Sequence, residues 1–152
     1  MNMYKRILVA LDASSTAAKA LSEAITLAKA MDARLCVVHC EDEGPLAQHG
    51  MGLGTYVDVE AVKNELRASA DKLLANAVAK AAAEGVEAES MLLEAENRRV
   101  AELLTSAAGT WQADLIVMGT HGRRGFARLL VGSVAENLVR VATTSLMLVR
   151  EH

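Results

Sequence analysis

The residues best suited to hold a ligand lie in a glycine-rich segment between positions 119 and 133. Gly119 and Gly122 are separated by two residues, Gly122 and Gly132 by nine, and Ser133 follows directly. Two glycines three positions apart let the backbone turn tightly and approach a ligand closely. Gly132 and Ser133 open a helical pattern, and the free N–H groups of a helix start favour an anion. The segment therefore predicts a phosphate-binding loop that is closed by a helix N-terminus.

Two other nucleotide-binding motifs are absent from the sequence. There is no Gly-x4-Gly-Lys-Ser/Thr segment, and the first apolar run is followed by Asp12-Ala13-Ser14 where a dinucleotide fingerprint has glycines. Gly50, Gly52 and Gly54 do not open a helix after a strand, and we interpret residues 41–57 as a flexible loop.

Several polar residues around these segments have two interpretations. Asp12 is either a ligand-binding carboxylate or a cap of the first helix. Ser133 and Glu136 form a Ser-x-x-Glu capping box, which leaves the N–H of Ser133 able to contact phosphate. Four basic side chains between Gly119 and Gly132 give the loop positive charge or are only a solvated surface: His121, Arg123, Arg124 and Arg128.

The two cysteines flank a histidine in an apolar run. Four residues of strand span about 13 Å, whereas a disulfide requires Cα atoms about 4.4–6.8 Å apart, so Cys36 and Cys40 cannot pair while that strand is formed. A metal site that uses them with His39 would be short of ligands. We expect buried apolar cysteines, and we expect His39 to be a strand residue with a satisfied hydrogen bond rather than a ligand or a base.

Strand and helix patterns alternate along the chain. This alternation predicts a parallel sheet covered by helices on both faces. Ligands bind such sheets at the carboxyl ends of the strands, where the strand order reverses. The predicted strands are Ile7–Leu11, Leu35–Cys40, Glu87–Leu93, Asp114–Met118 and Ser145–Arg150. The predicted helices run from Ser15 to Met31, from Val59 to a stop at Gly85, from Arg98 to Ala108 and from Gly132 to Val141.

Length and composition limit the number of domains and the possible classes of function. The 152 residues fit one domain, residues 1–152, and the net charge of −3 argues against sequence-independent nucleic-acid binding. The longest apolar runs fall far short of the roughly 20 residues of a spanning helix, and the N-terminal run is too short for a secretory signal. We expect a cytoplasmic protein without a membrane segment.

The glycine spacing resembles that of the ATP-binding branch of the universal stress protein family. The similarity covers nearly the whole chain and is carried by Ile7–Ser14, Asp114–Gly122, Gly132–Glu136 and Leu146–Arg150. It implies an α/β fold, a single Rossmann-like three-layer sandwich with a five-stranded parallel sheet of order 3-2-1-4-5 and four helices. Thr143-Thr144-Ser145 departs from the family pattern, which has an apolar stretch with proline there, and Ala135 stands where a small hydroxyl residue is common.

The resemblance also implies a binding site for ATP. Asp12 contacts the ribose or the metal–phosphate region, where nucleotide-bound Mg²⁺ would sit, and Ala10 and Cys40 line the adenine pocket. The residues implied to wrap the ribose and phosphates are Met118, Gly119, Gly122, Gly132, Ser133 and Val134. His121, in the same loop, is a further candidate for a nucleotide contact.

We expect a binding protein whose nucleotide state alters a contact with an unidentified protein partner. An alternative is a slow ATP hydrolase or phosphoryl-transfer enzyme. Fast catalysis is not supported, because the carboxylates near the motif, Asp12 and Glu136, both have structural explanations and no dedicated base is evident. A third possibility is a nucleotide-free structural dimer. The uncharged apolar run in Ser145–Arg150 favours a homodimer formed by pairing of edge strands, as the resemblance also implies.

Overall fold

The structure is a computed structural model that describes residues 3–12, 15–41, 59–94, 98–120 and 133–150. Strands and helices alternate, as the sequence predicts. In chain order they are β1 (Arg6–Leu11), α1 (Ser15–Met31), β2 (Arg34–Glu41), α2 (Val59–Ala83), β3 (Ala88–Glu94), α3 (Val100–Trp111), β4 (Leu115–Gly119), α4 (Ser133–Val141) and β5 (Ser145–Val149). Residues 42–58, which contain Gly50, Gly52 and Gly54, lie outside the described residues.

The five strands form one parallel sheet of order β3-β2-β1-β4-β5. The chain builds the sheet outwards from β1 to β3 and then returns to the other side of β1 with β4. The strand order therefore reverses between β1 and β4, which confirms the predicted fold and strand order. In open α/β sheets, ligands bind at such a reversal.

The apolar residues of the strands divide between two cores because successive side chains point to opposite faces. Ile7 and Val9 pack with α1 and α2 on one face. Leu8 packs with α3 and α4 on the other. The central strands β1, β2 and β4 are buried on both faces, which explains their nearly continuous apolar sequences. β3, which contains two exposed residues, lies at an edge as its lower hydrophobicity predicts.

Polar contacts at the amino ends of β1 and β4 hold these two strands side by side. The carboxylate of Asp114 accepts hydrogen bonds from the backbone N–H groups of Lys5 at 2.9 Å and Arg6 at 3.1 Å. The Arg6 guanidinium lies over the ring of Trp111, 4.1 Å from its centroid, and its Nε donates to the Trp111 carbonyl. These contacts lie at the opposite end of the sheet from the predicted ligand site.

Helix ends follow local chemistry. α2 ends at Ala83, and Gly85 has a φ of 80°, a left-handed conformation that glycine adopts without strain. α3 extends three residues beyond the predicted end at Ala108, to Trp111, where Gln112 takes the left-handed cap position with a φ of 61°.

Among the described helices, none is both long and apolar enough to cross a membrane.

Candidate functional site

The candidate site is the crevice at the carboxyl ends of β1 and β4, which we define by Leu11 and Asp12 on one side and Gly119 and Thr120 on the other. The last paired residues of these strands are Val9 and Val117. Each strand then continues two residues further, to Leu11 and Gly119. Asp12 follows β1 directly and is half-buried. The topology thus brings the two predicted ligand-binding segments to one place.

Gly119 faces the first turn of α1. A Cβ added there would lie 2.6 Å from Thr16 Cγ2, 3.0 Å from Thr16 Cβ and 3.2 Å from the Thr16 backbone carbon. Real Cβ atoms do not approach other atoms so closely, so this position requires glycine. The glycine spacing predicts a close approach of the backbone to a ligand, whereas the described contact of Gly119 is with a helix.

This contact places the start of α1 at the crevice. Free N–H groups and the positive end of the helix dipole are both found at a helix N-terminus, and they favour an anion. The helix begins at Ser15, so its cap position is residue 14, which lies outside the described residues. Asp12 is two residues upstream of that position.

Ala10 and Cys40, which are expected to line an adenine pocket, lie on the opposite face of the sheet together with Met118 and Val134, which are expected to contact ribose and phosphates. Met118 is buried, and the half-buried Ala10 and Val134 pack against the same apolar cluster as Met118. Cys40 follows Val38 by two residues on β2 and therefore points to this face as well. The structure thus brings Ala10, Met118 and Val134 into one apolar cluster and places Cys40 at the carboxyl end of the neighbouring strand.

The central part of the predicted phosphate loop is not described. His121, Gly122 and Gly132, together with Arg123, Arg124 and Arg128, lie outside the described residues. Ser133 is described as the first residue of α4, without its side chain.

The predicted capping box at the start of α4 needs the side chain of Ser133, which lies outside the described residues. Glu136 Oε1 lies 3.2 Å from Nη2 of Arg140, one turn further along the helix. The pair is exposed and has the i, i+4 spacing at which opposite charges meet on a helix. Ala135, where the family commonly has a small hydroxyl residue, is 1% exposed and packs in the core.

His39 ties the ends of β1 and β2 together. Its Nδ1 lies 2.8 Å from the carbonyl oxygen of Leu11. Since a carbonyl oxygen only accepts, Nδ1 must carry the proton and donate it. The prediction of a hydrogen-bonded strand histidine is confirmed. The acceptor immediately precedes Asp12, which the sequence alone does not indicate because the partner of His39 depends on the register Leu11–His39 between the two strands.

The two cysteines have different surroundings. Both are free, as expected. Burial raises the pKa of the Cys36 thiol from 9.0 to about 12, with a smaller contribution from Glu89, so this thiol is unreactive. The expectation of a buried cysteine is wrong for Cys40, which is half-buried because it lies at the end of β2. Across the described ranges, no group of three or more His, Cys, Asp or Glu side chains could hold a metal ion.

Thr120 is a residue of the crevice that sequence reasoning missed. It is 3% exposed, and its Oγ1 has no hydrogen-bond partner within the described part of the chain. Its backbone N–H donates to the Val149 carbonyl at 3.0 Å, which extends the β4–β5 pairing by one residue. A threonine between two glycines of a loop motif gives no sequence signal of burial.

A comparison with protein-family models identifies the fold. The model of the universal stress protein family matches residues 3–150. The chain belongs to the universal stress protein family. Its sequence is 32% identical to the universal stress protein YxiE of Bacillus subtilis over 151 residues, covering 97% of this chain and 100% of that protein.

Solved structures of universal stress proteins agree with this assignment. A family protein from Burkholderia pseudomallei is 36% identical, with a TM-score of 0.77 and coverage of 98% of both chains. The universal stress protein of Archaeoglobus fulgidus, solved in complex with dAMP, is 25% identical, with a TM-score of 0.68 and coverage of 97% of this chain and 98% of that one. Both similarities extend over nearly the full length of each chain.

Proposed function

We propose that this universal stress protein binds an adenine nucleotide, ATP with Mg²⁺, in the crevice between β1 and β4. The observation that carries the proposal is the convergence of Asp12, Gly119 and the N-terminus of α1 at the point where the strand order reverses. A family member of the same fold is solved with dAMP bound, which supports an adenine nucleotide as the ligand class.

The proposed contacts divide the ligand into three parts. Ala10 and Cys40 line the pocket for the adenine ring. Asp12 is a carboxylate acceptor that suits ribose hydroxyls or a phosphate-bound Mg²⁺. The proposed contacts to ribose and phosphates come from Met118, Gly119, His121, Gly122, Gly132, Ser133 and Val134.

The affinity that this arrangement supplies is in the micromolar range. A micromolar dissociation constant corresponds to about 8 kcal/mol. Several hydrogen bonds from N–H groups to charged phosphate, at about 1.5–3 kcal/mol each, together with a buried adenine, are sufficient for this value. We propose that residues 1–152 act as one cytoplasmic nucleotide-binding domain, and that the bound nucleotide alters a contact with a partner protein.

A homodimer formed through β5 is part of the proposal. β5 lies at the edge of the sheet, carries no charge between Ser145 and Val149, and leaves its three central residues half-buried. On the neighbouring helix α4, Val139 is 58% exposed and Val141 is 43% exposed. An uncharged edge strand next to exposed apolar side chains is a template for pairing with a second copy.

Mass spectrometry of nucleotide released from the denatured protein tests the proposal. The protein is purified without added nucleotide and equilibrated with Mg-ATP by dialysis, and the nucleotide held in excess over the dialysate is released by denaturation, because desalting would remove a ligand of micromolar affinity. We expect near-stoichiometric ATP from the parent and none from Gly122→Val, because the branched side chain prevents a close backbone approach. Gly109→Ala, in α3, is the matched control and should retain the ATP, since an added Cβ meets nothing within 4 Å there.

Two other outcomes would count against the proposal. Absence of nucleotide from the loaded parent contradicts it and favours a structural dimer. ADP that accumulates with time at a measurable rate favours the slow hydrolase instead.

A further inference from the structure

The side chain of Thr120 presents an unusual combination of burial and missing partners. Only 3% of the residue is exposed, and Oγ1 has no hydrogen-bond partner among the residues that the structure describes. Burying a hydroxyl without a partner is unfavourable because its hydrogen bonds to water are lost. A buried polar group of this kind at the mouth of a crevice suggests that a ligand supplies the partner.

The direction of the Thr120 side chain follows from its neighbours. The missing Cβ of Gly119 points at Thr16 in α1, on one face of the sheet. Met118 packs in the cluster of the other face, together with Ala135 and Leu138 of α4. Since β4 continues its ladder through the bond from the Thr120 N–H to Val149, Thr120 points to the same face as Met118.

The hydroxyl thus lies on the α4 side, one step closer to the carboxyl end of the sheet than Met118. α4 begins at Ser133, two residues before the buried Ala135. The first N–H groups of a helix have no acceptor within the helix. A hydroxyl donor and the free N–H donors of α4 therefore belong to the same side of the crevice, and together they suit a ligand atom that only accepts.

We propose that the Thr120 hydroxyl donates a hydrogen bond to a phosphoryl oxygen of the nucleotide, at the N-terminus of α4. This inference rests on the proposed nucleotide-binding function and adds a residue to it. A phosphoryl oxygen suits the Thr120 hydroxyl better than a ribose hydroxyl does, because the carboxylate that would accept from ribose hydroxyls, Asp12, lies on the β1 side of the crevice. Thr120 is then a residue that selects for the phosphate group and contributes nothing to recognition of the nucleoside.

Calorimetric titration of nucleotide-free protein with ADP and with adenosine tests this role. Thr120→Val removes the hydroxyl and keeps the shape, and we expect it to weaken ADP binding about tenfold or more, as for loss of a hydrogen bond to a charged group. Adenosine affinity should stay unchanged. Thr120→Ser, which restores the hydroxyl, should bring ADP affinity back to within about threefold of the parent.

Thr105→Val is the matched control. Thr105 Oγ1 already donates to the Ala101 carbonyl at 2.8 Å, so its removal should not affect ADP binding. In ligand-free protein the two valine variants should differ in melting temperature. The value should rise for Thr120→Val, which removes an unpartnered group, and fall for Thr105→Val, which removes a satisfied one.

The outcomes separate this inference from the function on which it rests. If the parent binds ADP and Thr120→Val binds it equally well, the role of Thr120 is wrong and the proposed function stands. Equal losses for ADP and adenosine would also overturn it, since they indicate a distorted pocket. If the parent binds no adenine nucleotide, the proposed function fails and the role of Thr120 fails with it. Thr120→Ala, which also lacks the hydroxyl, replaces the valine variant if that variant does not fold.

Discussion

Replacement of Gly119 by alanine tests the packing that places α1 at the crevice. The added Cβ would lie 2.6 Å from Thr16 Cγ2 and 3.0 Å from Thr16 Cβ. Carbon atoms in good contact are about 3.5–4.0 Å apart, so the first contact is too short by about 1 Å. The third short contact, 3.2 Å to the Thr16 backbone carbon, means that a rotation of the threonine side chain cannot relieve the overlap.

The expected magnitude combines two opposing effects. Overpacking a well-filled site costs about 1–3 kcal/mol. A glycine-to-alanine change at a compatible backbone position stabilises the folded state by about 0.4–1 kcal/mol, because it reduces the conformational entropy of the unfolded chain. We expect Gly119→Ala to lower the free energy of unfolding by about 1–2 kcal/mol, measured by urea denaturation followed by circular dichroism.

A double-mutant cycle identifies the cause. Thr16→Ala removes Cγ2 and leaves the contacts with Cβ and the backbone, so it should relieve part of the strain. The double variant should therefore be more stable than the sum of the single effects by about 0.5 kcal/mol or more. Gly109→Ala serves as the control, because no atom lies within 4 Å of its added Cβ, and it should stabilise the protein by about 0.5–1 kcal/mol.

Two results would refute this reasoning. One is a Gly119→Ala protein that is as stable as the parent, or that is stabilised as much as Gly109→Ala. The other is a strictly additive cycle with Thr16→Ala, which would show that the cost arises elsewhere than in the contact with α1.

Three further predictions concern the helix end, the buried thiol and the edge strand. Gly85→Ala should lower the free energy of unfolding by about 1 kcal/mol in urea denaturation, because a φ of 80° strains any residue with a Cβ; unchanged stability would contradict the left-handed helix end. The folded-state pKa of Cys36, about 12, exceeds the ordinary 9.0, so its contribution to stability is complete below pH 9 and is lost as pH rises towards 12. Between about pH 8 and pH 10.5, the free energy of unfolding of Cys36→Ala should therefore fall by about 2 kcal/mol less than that of the parent. Equal decreases of the free energy of unfolding in urea denaturation would count against a buried, protonated thiol. Met147→Lys should convert a dimer to a folded monomer in light scattering, whereas a parent that is itself monomeric at micromolar concentration would exclude the β5 dimer.

The fold could be predicted from the sequence because each element has a distinct pattern. The continuous apolar run Leu115–Met118 predicts a strand buried on both faces, and β4 is buried on both faces. Gly85 predicts the end of a helix and has the expected positive φ. Alternation of strands and helices predicts a parallel sheet, but the strand order came only from the family resemblance. Periodicity alone does not determine which strands are neighbours.

The site could be predicted only in part, because several roles depend on which residues meet across the sheet. The sequence shows Asp12 and the glycines, and the topology brings Asp12 and Gly119 to one crevice. The hydrogen bond from His39 to Leu11 depends on the register of β1 and β2. The burial of Thr120 depends on the face to which β4 directs it. Glu136 pairs with Arg140, a contact that its i, i+4 spacing permits.

Isothermal titration of verified nucleotide-free protein with Mg-ATP is the most direct measurement of nucleotide binding in the β1–β4 crevice. We expect one site per chain with a dissociation constant in the micromolar range, about 8 kcal/mol of binding free energy. A flat titration with folded, nucleotide-free protein would contradict the proposed function.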